Sequence, residues 1–296
     1  MLNNIKKFTD NSQTLKESRE NVKERSIIID ILIFIGLFLL LYIGTIGLNI
    51  VLDLISMAIL PKVDVYWQLM GLFGFIFIPI LVYIIVKKFE KRSFRSVGFS
   101  KDNILPSVLR GLGIGFLMFL TVVIIGLISG QYKYTGYNLS SLILLVPFLL
   151  GFFVQSLGEE FEMRGWAMTY IYKRHSIIAA IIISNILFSM AHIFNSGIDL
   201  LPIINIFLVG VFFAILFIKY DNIWICGSAH AAWNFSQGIL FGFNVSGQTT
   251  PSLLKFSQVS ENIIGGGTFG PESGLIATFV IIIGLFLSLY IKENKT

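Results

Sequence analysis

Between Gly158 and Gly165 the chain reads Gly-Glu-Glu-Phe-Glu-Met-Arg-Gly, four charged residues in an otherwise apolar stretch. An unpaired charge in the middle of a bilayer costs roughly 3 kcal/mol on insertion scales, so ionisable groups there mark function by default. Spacing sorts these four. Side chains four apart share one helix face, which makes Glu160 and Arg164 an ion pair and a scaffold for their surroundings. Glu159, about 140° round the helix from Arg164, lacks that neutraliser. A glutamate without a close cation, held in a desolvated bundle, is a competent general base toward water. Glu162 is the extra acid, open to a water-filled cavity or to a role in substrate binding.

Two other places inside apolar runs carry strongly polar groups: His192, and His230 with Asn234, which are four apart and stacked on one face. Groups from different helices can act together only at one depth. Counting up from the turn at Lys173 to Ser176, a rise of about 1.5 Å per residue puts Glu159 at roughly 20 Å and His192 at roughly 24 Å. From the turn at Asp221, Asn234 stands at about 20 Å and His230 at about 14 Å. The four side chains can therefore meet inside the bundle. They suit a hydrolase: Glu159 activates water, one histidine holds that water, and a second histidine with an amide donates to the developing oxyanion.

Two other chemistries compete for the same residues. Two histidines and a glutamate could hold zinc, but the chain lacks His-Glu-x-x-His and Arg164 opposes a dication, so neither metal nor cofactor is expected. Cys226 precedes His230 by four, the geometry of a thiol and its base. Its place a turn nearer the helix start favours a packed cysteine. As the only cysteine it allows no intrachain disulfide. Gly111, Gly113 and Gly115 lie in an apolar run with no preceding strand, and are expected to pack helices rather than cradle phosphate. His175 is expected at the surface, with Trp166, Tyr170 and Tyr172 as interfacial anchors.

These groups need a membrane scaffold to hold them. Of 296 residues, 55% are hydrophobic and 13% charged, against about 25% charged in soluble domains. The fold class is an all-α polytopic membrane helical bundle of about eight transmembrane helices, expected at 27–48, 67–86, 104–129, 140–172, 177–193, 200–218, 223–243 and 275–291. The first continues amphipathically to Pro61, Pro79 kinks the second, and 244–273 is a Gly-, Ser- and Thr-rich loop. Four sections follow: a polar cytoplasmic tail (1–25), three N-terminal transmembrane helices (26–138), a catalytic core of helices 4–7 (139–243), and the loop with the last helix (244–296).

The tail is too polar to bury a core and is expected to be solvated and partly disordered. No cleavable signal is evident in it, which leaves the first span as the insertion signal. With cytoplasmic N- and C-termini, only Lys62, Lys133 and Lys255 of the 22 lysines and arginines fall on the outer side. The net charge of +5 is spread between apolar runs rather than gathered on a solvated face, so no nucleic-acid partner is expected.

Glu159-Glu160-x-x-x-Arg164, Phe188-x-x-x-His192 and His230-x-x-x-Asn234 resemble, in order, the three motifs of the CAAX-protease and bacteriocin-processing (Abi) family of membrane proteins. The similarity covers about 142–243, and Gly265 to Gly274 is similar to a glycine-rich segment of bacterial members. The resemblance implies an intramembrane glutamate endopeptidase: Glu159 activates water with His192, His230 and Asn234 stabilise the oxyanion, and Glu160 with Arg164 orders the site. Met163 stands where most members have Phe, and Glu162 is an unusual acid; both bear on substrate preference. The expected partners are a peptide or protein substrate and the lipid bilayer of a bacterial cell, the substrate being a bacteriocin, pheromone or leader peptide. The alternative is a non-catalytic immunity or scaffold protein that binds a toxin or partner through the same cluster.

Overall fold

The computed structural model describes residues 1–20, 26–59 and 63–291. Lys23, Arg25, Lys62, Lys292 and Lys295, which enter the charge count, and the Pro61 end of the first span lie outside them. The helices are α1 (Leu2–Asn11), α2 (Gln13–Ser18), α3 (Ile27–Ile59), α4 (Asp64–Gly74), α5 (Phe77–Ile84), α6 (Ile104–Ile128), α7 (Leu145–Glu160), α8 (Thr169–Tyr172), α9 (Ile177–Met190), α10 (Leu200–Tyr220), α11 (Ile223–Phe235) and α12 (Leu275–Tyr290).

Among the described residues five helical runs are long and apolar enough to cross a membrane: Ile31–Met57, Asp64–Phe89, Ile104–Ile128, Leu139–Tyr172 and Leu200–Tyr220. The expected spans at 177–193 and 275–291 become the shorter helices α9 and α12, of 14 and 16 residues. At about 1.5 Å per residue they fall short of a hydrocarbon layer of about 30 Å. The bundle is predominantly helical, in keeping with the all-α class.

Local chemistry explains the breaks. Pro79 has no N–H for the carbonyl of Phe75, and the second run breaks at Phe75–Ile76, between α4 and α5. The fourth run, expected as one helix, is a 3-10 turn (Leu139–Leu144), then α7, then a π-helical stretch (Phe161–Met168), then α8. The change of winding falls inside the charged motif. Wide turns of this kind are uncommon and occur often at functional sites.

Gly111 and Gly115 set α6 against α11: a Cβ on the first would collide with Ser228 and the Ile225 carbonyl, and on the second with the Ala229 carbonyl. Gly113, on another face, meets nothing within 4 Å. The glycines are thus a small-xxx-small packing seam, which seats the helix that carries His230.

Three expectations are corrected. The connector after α6 and the glycine-rich loop are not simply irregular, because β1 (Tyr132–Tyr137) pairs antiparallel with β2 (Leu254–Gln258). Aromatic residues on both strands drive the pairing, Tyr134 and Phe256 lying 5.4 Å apart. Tyr132 then ties the loop down, its hydroxyl donating to the Gly265 carbonyl at 2.9 Å. Trp166, Tyr170 and Tyr172 are buried rather than interfacial; Trp166 stacks on Phe34 at 5.4 Å and donates to Glu90.

Residues 1–20 are the third correction: instead of a solvated tail they form α1 and α2, with Ile5 and Leu15 only 4% and 1% exposed. The carboxylate of Asp221, in the turn between α10 and α11, accepts from the backbone N–H of Gln13 at 3.1 Å and of Thr14 at 3.0 Å, and also pairs with Arg95. An acid supplied from elsewhere in the chain thereby caps α2. Overall polarity concealed two apolar side chains with a pocket to fill.

Candidate active site

Glu160 ends α7 and is wholly buried, as is Arg164 one turn later. Their side chains meet at 2.9 Å between Oε1 and a guanidinium nitrogen, the pair the spacing predicts. Arg164 also donates to Oδ1 of Asn185 on α9 at 3.1 Å and lies over the Phe188 ring at 4.4 Å. The space for this exists because residue 210, on α10, is glycine; a Cβ there would press on both Asn185 and Arg164. The arginine thus ties the π-helical stretch to α9 and α10.

The same Glu160 oxygen lies 3.1 Å from Nδ1 of His230 on α11. An ionised carboxylate only accepts, so this contact assigns the Nδ1 proton to the histidine and turns Nε2 the other way. There Nε2 faces the Glu159 carboxylate at 3.8 Å, beyond hydrogen-bond reach. The imidazole is held flat by stacking on Phe213, with ring centroids 5.1 Å apart.

Glu159 is only partly buried, its side chain 14% exposed, and it accepts from Nε2 of Gln155 at 3.3 Å. It opens onto a cavity of about 580 Å³ that Glu162, Met163, Phe188 and His192 also line. His192 sits just past the end of α9, in a turn rather than in the expected helix. Its Nδ1 lies 2.8 Å from the Phe188 carbonyl oxygen, an acceptor that assigns the proton to Nδ1 and leaves Nε2 able to accept. Asn234, one turn beyond His230, lines with it a second, smaller cavity of about 40 Å³. That is space for one or two waters.

The structure therefore joins Glu159, Glu160, Arg164 and His230 into one contact chain and sets His192 across a shared cavity from Glu159. Asn234 joins them through His230 and the smaller cavity. Cys226 is buried, its thiol directed to the Ile223 carbonyl at 3.2 Å. Among the described residues no group of three or more His, Cys, Asp or Glu is arranged to hold a metal ion.

Three residues were missed. Asn185 and Gln155 were detectable as amides inside apolar runs, seven before His192 and four before Glu159. Glu272 had a weaker signal, as the lone acid of its glycine-rich stretch. It lines the smaller cavity with His230 and Asn234, and its carboxylate accepts from the backbone and hydroxyl of Ser246 at 2.5 and 3.2 Å. Burial pushes its carboxyl up from 4.5 to about 7.

A helical bundle with several apolar membrane-length helices, enclosing paired carboxylates and two histidines beside a cavity, defines a multi-pass membrane protein with a buried polar site. Residues 141–236 match the family model described as Rce1-like, type II CAAX prenyl endopeptidase Rce1-like, and so form a domain of the CAAX-protease kind. The matched stretch runs from the 3-10 turn before α7 to the end of α11 and contains Glu159, Glu160, Arg164, His192, His230 and Asn234. The family is one of membrane proteases, which makes peptide-bond hydrolysis the class of activity the match supports. No curated relative matches the chain.

Proposed function

We propose that the protein is an intramembrane endopeptidase that hydrolyses its substrate with a water activated by Glu159. Water held between Glu159 and Nε2 of His192 gives a proton to the carboxylate as its oxygen attacks the scissile carbonyl carbon. Asn234 and doubly protonated His230, whose Nδ1–H is held by Glu160, donate to the resulting oxyanion. Glu159 then returns the proton to the leaving amine as the C–N bond breaks. Arg164 takes no part in the chemistry; it fixes Glu160, and through it the ring of His230.

The observation that carries this reading is the division of labour between adjacent carboxylates. Glu160 is sealed and doubly engaged, whereas Glu159 opens to the cavity with no lysine or arginine beside it among the described residues. The substrate is a peptide or protein segment in the bilayer, in keeping with a bacterial cell-membrane enzyme that processes a bacteriocin, pheromone or leader peptide and keeps both termini in the cytoplasm.

The test is peptide cleavage by the full chain in liposomes. Glu159→Gln is expected to lower the rate by about 10²- to 10⁴-fold with the helical content unchanged. Cys226→Ala and added chelator should leave it unaltered. Full cellular function in a well-folded Glu159→Gln protein would instead indicate the non-catalytic immunity or scaffold role.

A further inference from the structure

Glu162 is only 8% exposed, lies on the π-helical stretch, and lines the large cavity with Glu159 and His192. Every other acid of this region has a polar neighbour in contact: Glu160 has Arg164 and His230, and Glu159 has Gln155 with His230 nearby. Among the described residues Glu162 has neither a hydrogen bond nor an ion pair, and no lysine or arginine lines the cavity. A carboxylate removed from water and left alone is costly, and the cost is offset when a cation arrives.

We infer that Glu162 forms a subsite for a cationic side chain of the substrate, a lysine or arginine within one or two residues of the scissile bond. This rests on the protease reading only for the position of that bond. Glu162 follows Glu159 by three residues, so both point to one side of the helix about 5 Å apart along its axis. An extended peptide advances about 3.3 Å per residue, which sets the spacing of one or two. The rest of the wall suits such a side chain. Phe75, Phe148 and Phe152 offer apolar surface for the methylene stem, and Asn49 and Gln68 line the cavity as neutral polar groups. A bare divalent ion fits less well, because the described residues bring no three His, Cys, Asp or Glu ligands together.

The test measures binding and cleavage separately. Full-length protein carrying Glu159→Gln is reconstituted in lipid nanodiscs and titrated with dye-labelled apolar peptides in which a single lysine is walked along one sequence. A matched set carries norleucine instead. At one or two positions lysine should bind about tenfold or more tighter than norleucine. Glu162→Gln should abolish the difference and Glu162→Asp should retain part of it. Equal binding of the two sets at every position, or a lysine preference that survives Glu162→Gln, overturns the subsite. The lysine–norleucine comparison needs no change at Glu162, so misfolding of that variant cannot obscure the answer. The same peptides are then offered to the unaltered protein. A lysine preference without cleavage upholds the subsite and removes the protease, whereas cleavage without preference does the reverse.

Discussion

One oxygen of Glu160 serves two partners: Oε1 lies 2.9 Å from the Arg164 guanidinium and 3.1 Å from Nδ1 of His230. Removing that charge strands a buried arginine and releases the histidine ring. Glu160→Gln is therefore expected to destabilise the protein by about 3–5 kcal/mol, the cost of breaking a buried pair from one side. Unfolding of the detergent-solubilised protein reads this directly. Unchanged stability would contradict the buried-pair role, and full cleavage by the folded variant would contradict the positioning of His230.

The seam between α6 and α11 makes a prediction with its own control. Gly111→Val should overpack the contact with Ser228 and Ile225, costing about 1–3 kcal/mol and displacing His230. Gly113→Ala, on an open face, should be neutral or slightly stabilising. Thermal unfolding of the two variants side by side checks the pair.

Asp221→Ala should detach the N-terminal helices without disturbing the cavity. It removes the acceptor of the Gln13 and Thr14 N–H groups and the partner of Arg95 but leaves Ser12 capping Leu15, a lost cap contact being worth about 1 kcal/mol. Protease nicking within residues 1–20 should accelerate while cleavage of substrate peptides stays the same. Equal resistance to nicking would mean that Ile5 and Leu15 hold the helices by themselves.

Glu272 predicts a pH dependence with a defined sign. Burial raises its carboxyl from 4.5 to about 7, so the folded protein holds this proton more tightly than the unfolded chain does. The stabilisation is fully present below about pH 4.5 and disappears as pH rises through about 7. His230 faces the same cavity. Hydrogen exchange of the glycine-rich segment, corrected for intrinsic rates, should show firmer protection at pH 5.5 than at pH 8. Glu272→Gln should flatten that difference.

The sequence carried the helical bundle, and it singled out the polar residues the structure gathers around the cavities, because membrane cost makes buried polar residues conspicuous. Spacing alone paired Glu160 with Arg164, and depth alone brought His230 near Glu159. The two histidine hydrogen bonds were not legible. They depend on where α9 stops and on a ring rotation that no residue count specifies. Asn185 was overlooked as an uncharged residue, although it is the hydrogen-bond partner of Arg164 on α9. The N-terminal helices were hidden for the opposite reason, since average polarity masks two well-placed apolar side chains and a cap supplied by Asp221.

The winding change after Glu160 also couples two parts of the molecule. Residues before it face the cavity and α11, whereas Trp166 and Tyr170 after it pack on Phe34 of the first long helix. Because i→i+5 bonds turn the chain more slowly than i→i+4 bonds, the stretch works like a gear with one extra tooth. Deleting a residue between Phe161 and Met168 would leave Glu159 in place yet rotate everything downstream, so the phase between the Glu159 carboxylate and the outer helices is written into the length of this segment.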